Sequence, residues 1–94
     1  MRMIDLELAT IDLNKNFNLY YTTNNLFYPI SKVISTSEYF ILIVTPSDKP
    51  LLLQDLLHVS ELKSRHNKPF IQTIDKNLHL ILGYKIEHNK LFLA

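Results

Sequence analysis

Ninety-four residues and 11.0 kDa bound this chain to one small domain, because a chain of this size buries only roughly 65% of its extended surface on folding. The absence of cysteine excludes a disulfide framework and a thiolate zinc site, and a formal charge of +1 excludes a strongly basic nucleic-acid coat or an acidic tail. The longest unbroken apolar run, Tyr39 to Val44, falls far short of the ~20 residues a membrane helix needs, and Asp5 and Glu7 interrupt the first residues before an apolar signal region forms. A cytoplasmic protein without membrane contact is therefore expected.

In chain order, Ile4-Asp5-Leu6-Glu7-Leu8 alternates apolar and acidic residues, which predicts a strand with one buried face. Phe17, Leu19 and Tyr21 continue in period 2, Asn24-Asn25 supplies a turn, and Leu26-Phe27-Tyr28 stops at Pro29, giving a hairpin. Tyr39 to Val44 is continuous, β-branched and aromatic, as in a strand buried on both faces at the centre of a sheet. Ser47 or Asp48 as N-cap and Pro50 in the first turn predict a helix, with Leu52, Leu53, Leu56, Leu57 and Val59 on its core face and Gln54, His58, Glu61 and Arg65 opposite. Lys63, Arg65 and His66 complement its C-terminus, Asn67 takes the left-handed cap and Pro69 stops it, so the helix ends near His66. Phe70 to Ile74 returns as a strand and Asp75-Lys76-Asn77 turns. A long last strand then places Leu78, Leu80, Leu82, Tyr84 and Ile86 on the core and leaves Ile81 as the one large apolar residue on the other face. Gly83 marks a bulge or a close backbone approach, and His88-Asn89 turns into the tail Leu91-Phe92-Leu93. One glycine in the chain leaves the turns to eight asparagines. Strands, one central amphipathic helix and further strands make a single mixed α/β domain over residues 1–94.

Chemistry-bearing patterns are sparse. His58, His66, His79 and His88 show no paired metal spacing, so no metal or other cofactor is assigned, and each reads as a surface or strand residue. Glu61-x-Lys63 formally matches half of a metal-dependent nuclease site but falls within the predicted helix, where chance explains it. Lys63, Arg65 and His66 beside Lys68 form a local basic group that could meet a phosphate, against the plainer reading of a solvated helix end.

The stretch from Tyr28 to Glu87 resembles the C-terminal, catalytic-type domain of the tRNA-splicing (tRNA-intron) endonuclease family. The likeness runs through Leu26-Phe27-Tyr28-Pro29 as a tyrosine-bearing strand end and Thr36-Ser37-Glu38-Tyr39-Phe40-Ile41 as the opening of a buried strand. It continues with Pro46-Ser47-Asp48-Lys49-Pro50-Leu51 as entry to a leucine-rich helix, Lys68-Pro69-Phe70-Ile71 as the lysine strand, and Leu82-Gly83-Tyr84-Lys85-Ile86 as the last strand. About two thirds of the chain is covered, by order and type more than by invariant letters.

The resemblance implies a metal-independent tyrosine, histidine and lysine triad that attacks through the RNA 2′-hydroxyl, leaving a 2′,3′-cyclic phosphate and a 5′-hydroxyl. Tyr28 and Lys68 occupy the first and third positions, but Thr36 stands at the histidine, and a threonine hydroxyl cannot act as the acid near neutral pH. Loss of a positioned acid costs typically ~10²- to 10⁴-fold in rate. The chain therefore resembles the non-catalytic structural subunit of the heteromeric archaeal enzymes, paired with a catalytic subunit, assembled as a tetramer and acting on pre-tRNA. By the same likeness the 78–86 strand, with Ile81 and Tyr84, forms a subunit interface, and Asp75 in its turn docks on a neighbouring pair. A stand-alone α/β interaction module without nuclease activity is the alternative, and an independently active ribonuclease using His66 as the acid is a third reading.

Overall fold

The computed structural model describes residues 2–46, 49–62 and 67–94, at residues 60–62 for the backbone only, and among these residues the chain forms seven strands and two helices. The first element is a helix, α1 (Met3–Ala9), not the expected strand. The Ile4-Leu6-Leu8 alternation is overridden by a helical stripe, since Met3, Leu6 and Thr10 are fully buried while Leu8 is exposed. The Asp5 carboxylate accepts the Arg2 N–H (2.7 Å), closing the first turn, and this bond holds the Asp5 carboxyl below the usual carboxylate range.

Strands β1 (Asn18–Thr23) and β2 (Leu26–Ser35) form the expected hairpin, its two-residue turn made by Asn24 and Asn25 with φ of 51° and 65°. Pro29 does not stop β2. Residues 26–29 of that strand pair with β1, whereas Ile30 to Ser35 pair with β3 (Tyr39–Val44), and the register shifts between Ile30 and Lys32. Pro29 sits at this changeover beside the bulge, a place where a sheet tolerates a missing N–H.

The expected helix becomes α2 (Leu53–Leu62), starting three residues after Pro50. Residues 51–53 are held first by the splaying hairpin: Leu51 N–H donates to the Ile30 carbonyl (2.7 Å), Leu19 N–H to Leu51 (2.8 Å) and Leu53 N–H to Phe17 (2.8 Å). The Asp55 carboxylate then accepts the Leu52 N–H (3.0 Å) across the first turn, and the expected caps, Ser47 and Asp48, lie outside the described residues. Leu53 and Leu56 are fully buried, with Leu57 and Val59 packed beside them and Gln54 and His58 exposed, as the periodicity requires. The expected end near His66 lies outside the described residues.

Beyond α2 come β4 (Lys68–Gln72), β5 (Leu78–Leu80), β6 (Tyr84–Glu87) and β7 (Lys90–Leu93). The sheet order is β5-β4-β3-β2-β1-β7-β6, with β1∥β7 and β3∥β4 parallel and the other pairs antiparallel. Strand β2 is the middle strand, with β3 beside it, and the tail is an interior strand between β1 and β6.

The long final strand does not exist as one element. Residues 81–83 separate β5 from β6, which lie on opposite edges of the sheet. Laid flat, seven strands would hold those edges roughly 29 Å apart at about 4.8 Å per spacing. A three-residue link reaches at most about 14 Å. The sheet therefore rolls until β1 faces β5, and the Tyr21 and His79 rings stack at 6.4 Å between centroids. Half-sheets β2-β1-β7-β6 and β2-β3-β4-β5 share β2 and enclose a core of Leu19, Ile30, Phe40, Leu42, Ile71, Leu91 and Leu93, to which α1 and α2 add Met3, Leu6, Leu53 and Leu56.

The same link reverses the expected facing of residues 78–82. Ile81 is fully buried in the core, while Leu78, Leu80 and Leu82 are exposed; Tyr84 and Ile86, register partners of the buried Leu93 and Leu91, keep the expected core side of the edge strand β6 and are 36% exposed. Gly83 makes no close approach, since a Cβ there would meet nothing within 4 Å and its φ is not positive. It is held instead by the chain's last residue, with Gly83 N–H donating to the Ala94 carbonyl (3.1 Å) and Ala94 N–H to Gly83 (3.1 Å). Ile81→Ala is expected to cost about 2–5 kcal/mol in chemical denaturation. Leu82→Glu, at 81% exposure, should change stability by no more than about 0.5 kcal/mol. The opposite ranking would contradict the rolled sheet.

Candidate functional site

Rolling the sheet opens a cleft of about 420 Å³ at the end where β1, β3 and β4 finish, lined by Tyr21, Thr23, Tyr28, Val44, Thr73, Ile74, Asp75 and His79. The strand period places these groups. Leu19 and Tyr21 point inward from β1, and His79, paired with Ile71, points inward from β5, so the two rings meet across the mouth. Tyr28, opposite Tyr21 in register, adds its phenol to the wall.

The floor of the turn between β4 and β5 is organised by Asp75. Its carboxylate accepts the Thr73 hydroxyl, the Asn77 N–H (3.2 Å) and the Asn77 side-chain amide (2.8 Å), while Lys76 takes the left-handed conformation at φ 68°. These donors, the Thr73 hydroxyl first, hold the Asp75 carboxyl below the usual carboxylate range. The carboxylate expected to dock on a neighbour is thus already engaged by three donors inside its own turn.

Tyr28 is not brought to the other two triad positions. Seven residues of β2 separate it from Thr36, roughly 26 Å over eight steps of about 3.3 Å. Thr36 and Lys68 share the opposite end: the Thr36 hydroxyl donates to the Tyr39 carbonyl (2.9 Å) and accepts the Tyr39 N–H (3.0 Å), and Tyr39 is the parallel register partner of Lys68. Lys63, Arg65 and His66 lie outside the described residues. Tyr84 reaches inward, its hydroxyl donating to the Ala9 carbonyl at the end of α1 (3.2 Å), and Ile81 belongs to the core, so neither stands free on a flat interface strand.

Among the described residues no hydrogen bond links Tyr28, His79 and Asp75 to one another. No cluster of three or more histidine, aspartate or glutamate side chains able to hold a metal occurs among the described residues. No helix among them is long and apolar enough to cross a membrane.

The residues missed by sequence reading lie on the outer faces. Registers align Ile34 with Ile41, Ile41 with Phe70 and Phe70 with Leu80, so one apolar row crosses β2, β3, β4 and β5 on the side away from the core. Ile34 is 48% and Leu80 41% exposed, and the parallel row Lys32-Ile43-Gln72-Leu78 flanks it. The alternation within each strand was visible in the sequence, but the registers that join these residues were not.

Comparison with protein-family models, with curated proteins and with solved structures finds no match for this chain.

The lowered Asp75 pKa sets a pH dependence. A depressed folded value means the carboxylate stabilises the turn above its unfolded pKa of about 3.9, and that contribution disappears as pH falls through the lower folded value. NMR titration of the Asn77 amide should give a midpoint below the ordinary carboxylate value, and Asp75→Ala should abolish the titration and raise amide exchange in 73–77 alone. A midpoint at the ordinary value would contradict the assignment.

Proposed function

We propose that this chain is a non-catalytic interaction module that packs against a partner protein through the outer face of β2 to β5. The observation that carries the reading is the uninterrupted row Ile34-Ile41-Phe70-Leu80, which ends on the edge strand β5 and is exposed at both ends. Its two middle residues, Ile41 and Phe70, are half-buried, and apolar patches left open to solvent mark docking surfaces. The separation of Tyr28 from Thr36 and Lys68 supports binding in place of chemistry, because a general acid, a base and a cation must converge on one phosphate to act together.

Within this reading the resemblance to the tRNA-splicing endonucleases supplies a specific partner, a catalytic subunit with an intact triad, with pre-tRNA as the substrate of the assembly. The endonuclease-like form of the α/β layout is part of that proposal. Its support is the order of motifs together with Thr36 at the histidine position, which leaves this chain a structural role.

The double variant Ile34→Glu, Leu80→Glu tests the face. Both positions are exposed, so the melting temperature should hold, and the mass measured by light scattering on mixing with the catalytic companion should fall from the complex to the free chains. The isolated chain should leave intron-containing pre-tRNA uncut. An unchanged complex mass in the double variant would place the partner elsewhere, and cleavage by this chain alone, lost in Lys68→Gln, would make it a catalyst.

A further inference from the structure

The other half-sheet carries a different outer surface, and what is inferred from it does not rest on the partner-docking reading. Its inward residues are Leu19, Tyr21, Leu91 and Leu93, so the alternating period turns Tyr20, Phe27, Phe92, Lys85 and Lys90 outward. Three rings from three strands meet there: Tyr20 and Phe27 at 5.4 Å between centroids, Phe27 and Phe92 at 5.6 Å, and Tyr20 and Phe92 at 5.8 Å. Phe92 is buried by its neighbours, whereas Phe27, beside the hairpin turn, is 54% exposed. Around the rings stand two ammonium groups, Lys85 5.6 Å from the Phe92 centroid and Lys90 6.0 and 5.9 Å from those of Tyr20 and Phe27. Among the described residues neither lysine is paired with a carboxylate, although Glu87 is the register partner of Lys90.

We infer that the outer face of β1, β2, β6 and β7 is a stacking platform for single-stranded nucleic acid. Apolar rings alone would suit many occupants. The combination of an exposed ring with unpaired cations beside it selects a polyanion that also presents flat π-faces, and a strand of unpaired nucleotides has both. A duplex does not fit, because its bases are stacked on one another and only its phosphates remain for the lysines. The carboxylates of an acidic peptide would engage Lys85 and Lys90 but present no aromatic face to Phe27, whereas every unpaired nucleotide brings both a charge and a ring. The chain's near-neutral charge is consistent with a local platform of short site size in place of an extended basic channel. No group on this face is assigned to read a base edge or a 2′-hydroxyl, so DNA and RNA strands share the chemistry.

Fluorescence anisotropy with labelled oligo(dT) and oligo(U), titrated with the full chain at low and moderate salt, tests the platform. Saturable binding of one or both is expected, and which of the two binds more tightly identifies the natural strand. Phe27→Ala should weaken binding about 5- to 150-fold, the range seen when one stacking ring is removed. Phe27→Leu keeps apolar cover over Phe92 and should weaken binding in the same way. The double variant Lys85→Gln, Lys90→Gln should lower the slope of log affinity against log salt by about 1.4, at about 0.7 per phosphate contact for single strands. The inference is overturned if neither oligonucleotide binds, if the two Phe27 variants, folded by circular dichroism, bind like the parent chain, or if a duplex of equal length or polyglutamate competes as well as the single strand.

Discussion

Three residues, Ile81 to Gly83, join the two opposite edges of a seven-stranded sheet, and the fold follows from that short tether. A flat sheet cannot satisfy it, so the two halves turn toward each other about β2, the strand that both share. The turn is eased where strands ordinarily bend: a proline and a shifted register mark the point at which β2 leaves β1 for β3. Closing the sheet in this way gives a small chain an inside. One face of each half, plus Met3, Leu6, Leu53 and Leu56 from the helices, makes a single core, and Ile81 is drawn into it by the tether itself.

Rolling also creates a problem of unpaired backbone where β1 and β2 splay, and residues 51–53 solve it. Their hydrogen bonds to Phe17, Leu19 and Ile30 fill the gap with backbone partners and launch α2 into the core at Leu53. At the other end the same curvature leaves a cleft walled by Tyr21, Tyr28 and His79. The two outer faces are then chemically distinct. One presents the apolar row Ile34-Ile41-Phe70-Leu80, the other aromatic rings with ammonium groups beside them.

What the sequence made legible is what local rules determine. The Asn24-Asn25 hairpin, the β3 strand, the core face of α2 and the turns at Asp75-Lys76-Asn77 and His88-Asn89 all follow from period and turn chemistry. The misreadings share one origin, tertiary contacts that override a local pattern. Alternation at Ile4-Leu6-Leu8 yields to the burial of Met3, Leu6 and Thr10. Leu78, Leu80 and Leu82 share a core face with Tyr84 and Ile86 only if the strand is continuous, and the tether at 81–83 breaks it, turning those three outward and Ile81 inward. Tyr28, Thr36 and Lys68 look like a convergent set only while the length of β2 is unknown; once Pro29 is seen to lie inside that strand, its ten residues hold Tyr28 away from the other two.

The central claim, that the sheet is rolled so that its first strand faces its fifth, is tested most directly by nuclear Overhauser contacts between the Tyr21 and His79 rings in labelled protein. With ring centroids 6.4 Å apart, cross-peaks between their aromatic protons are predicted. A sheet left open would set β1 and β5 about 19 Å apart, four strand spacings of about 4.8 Å. Absence of those cross-peaks in a sample that keeps the β1–β7 and β3–β4 contacts would contradict the account.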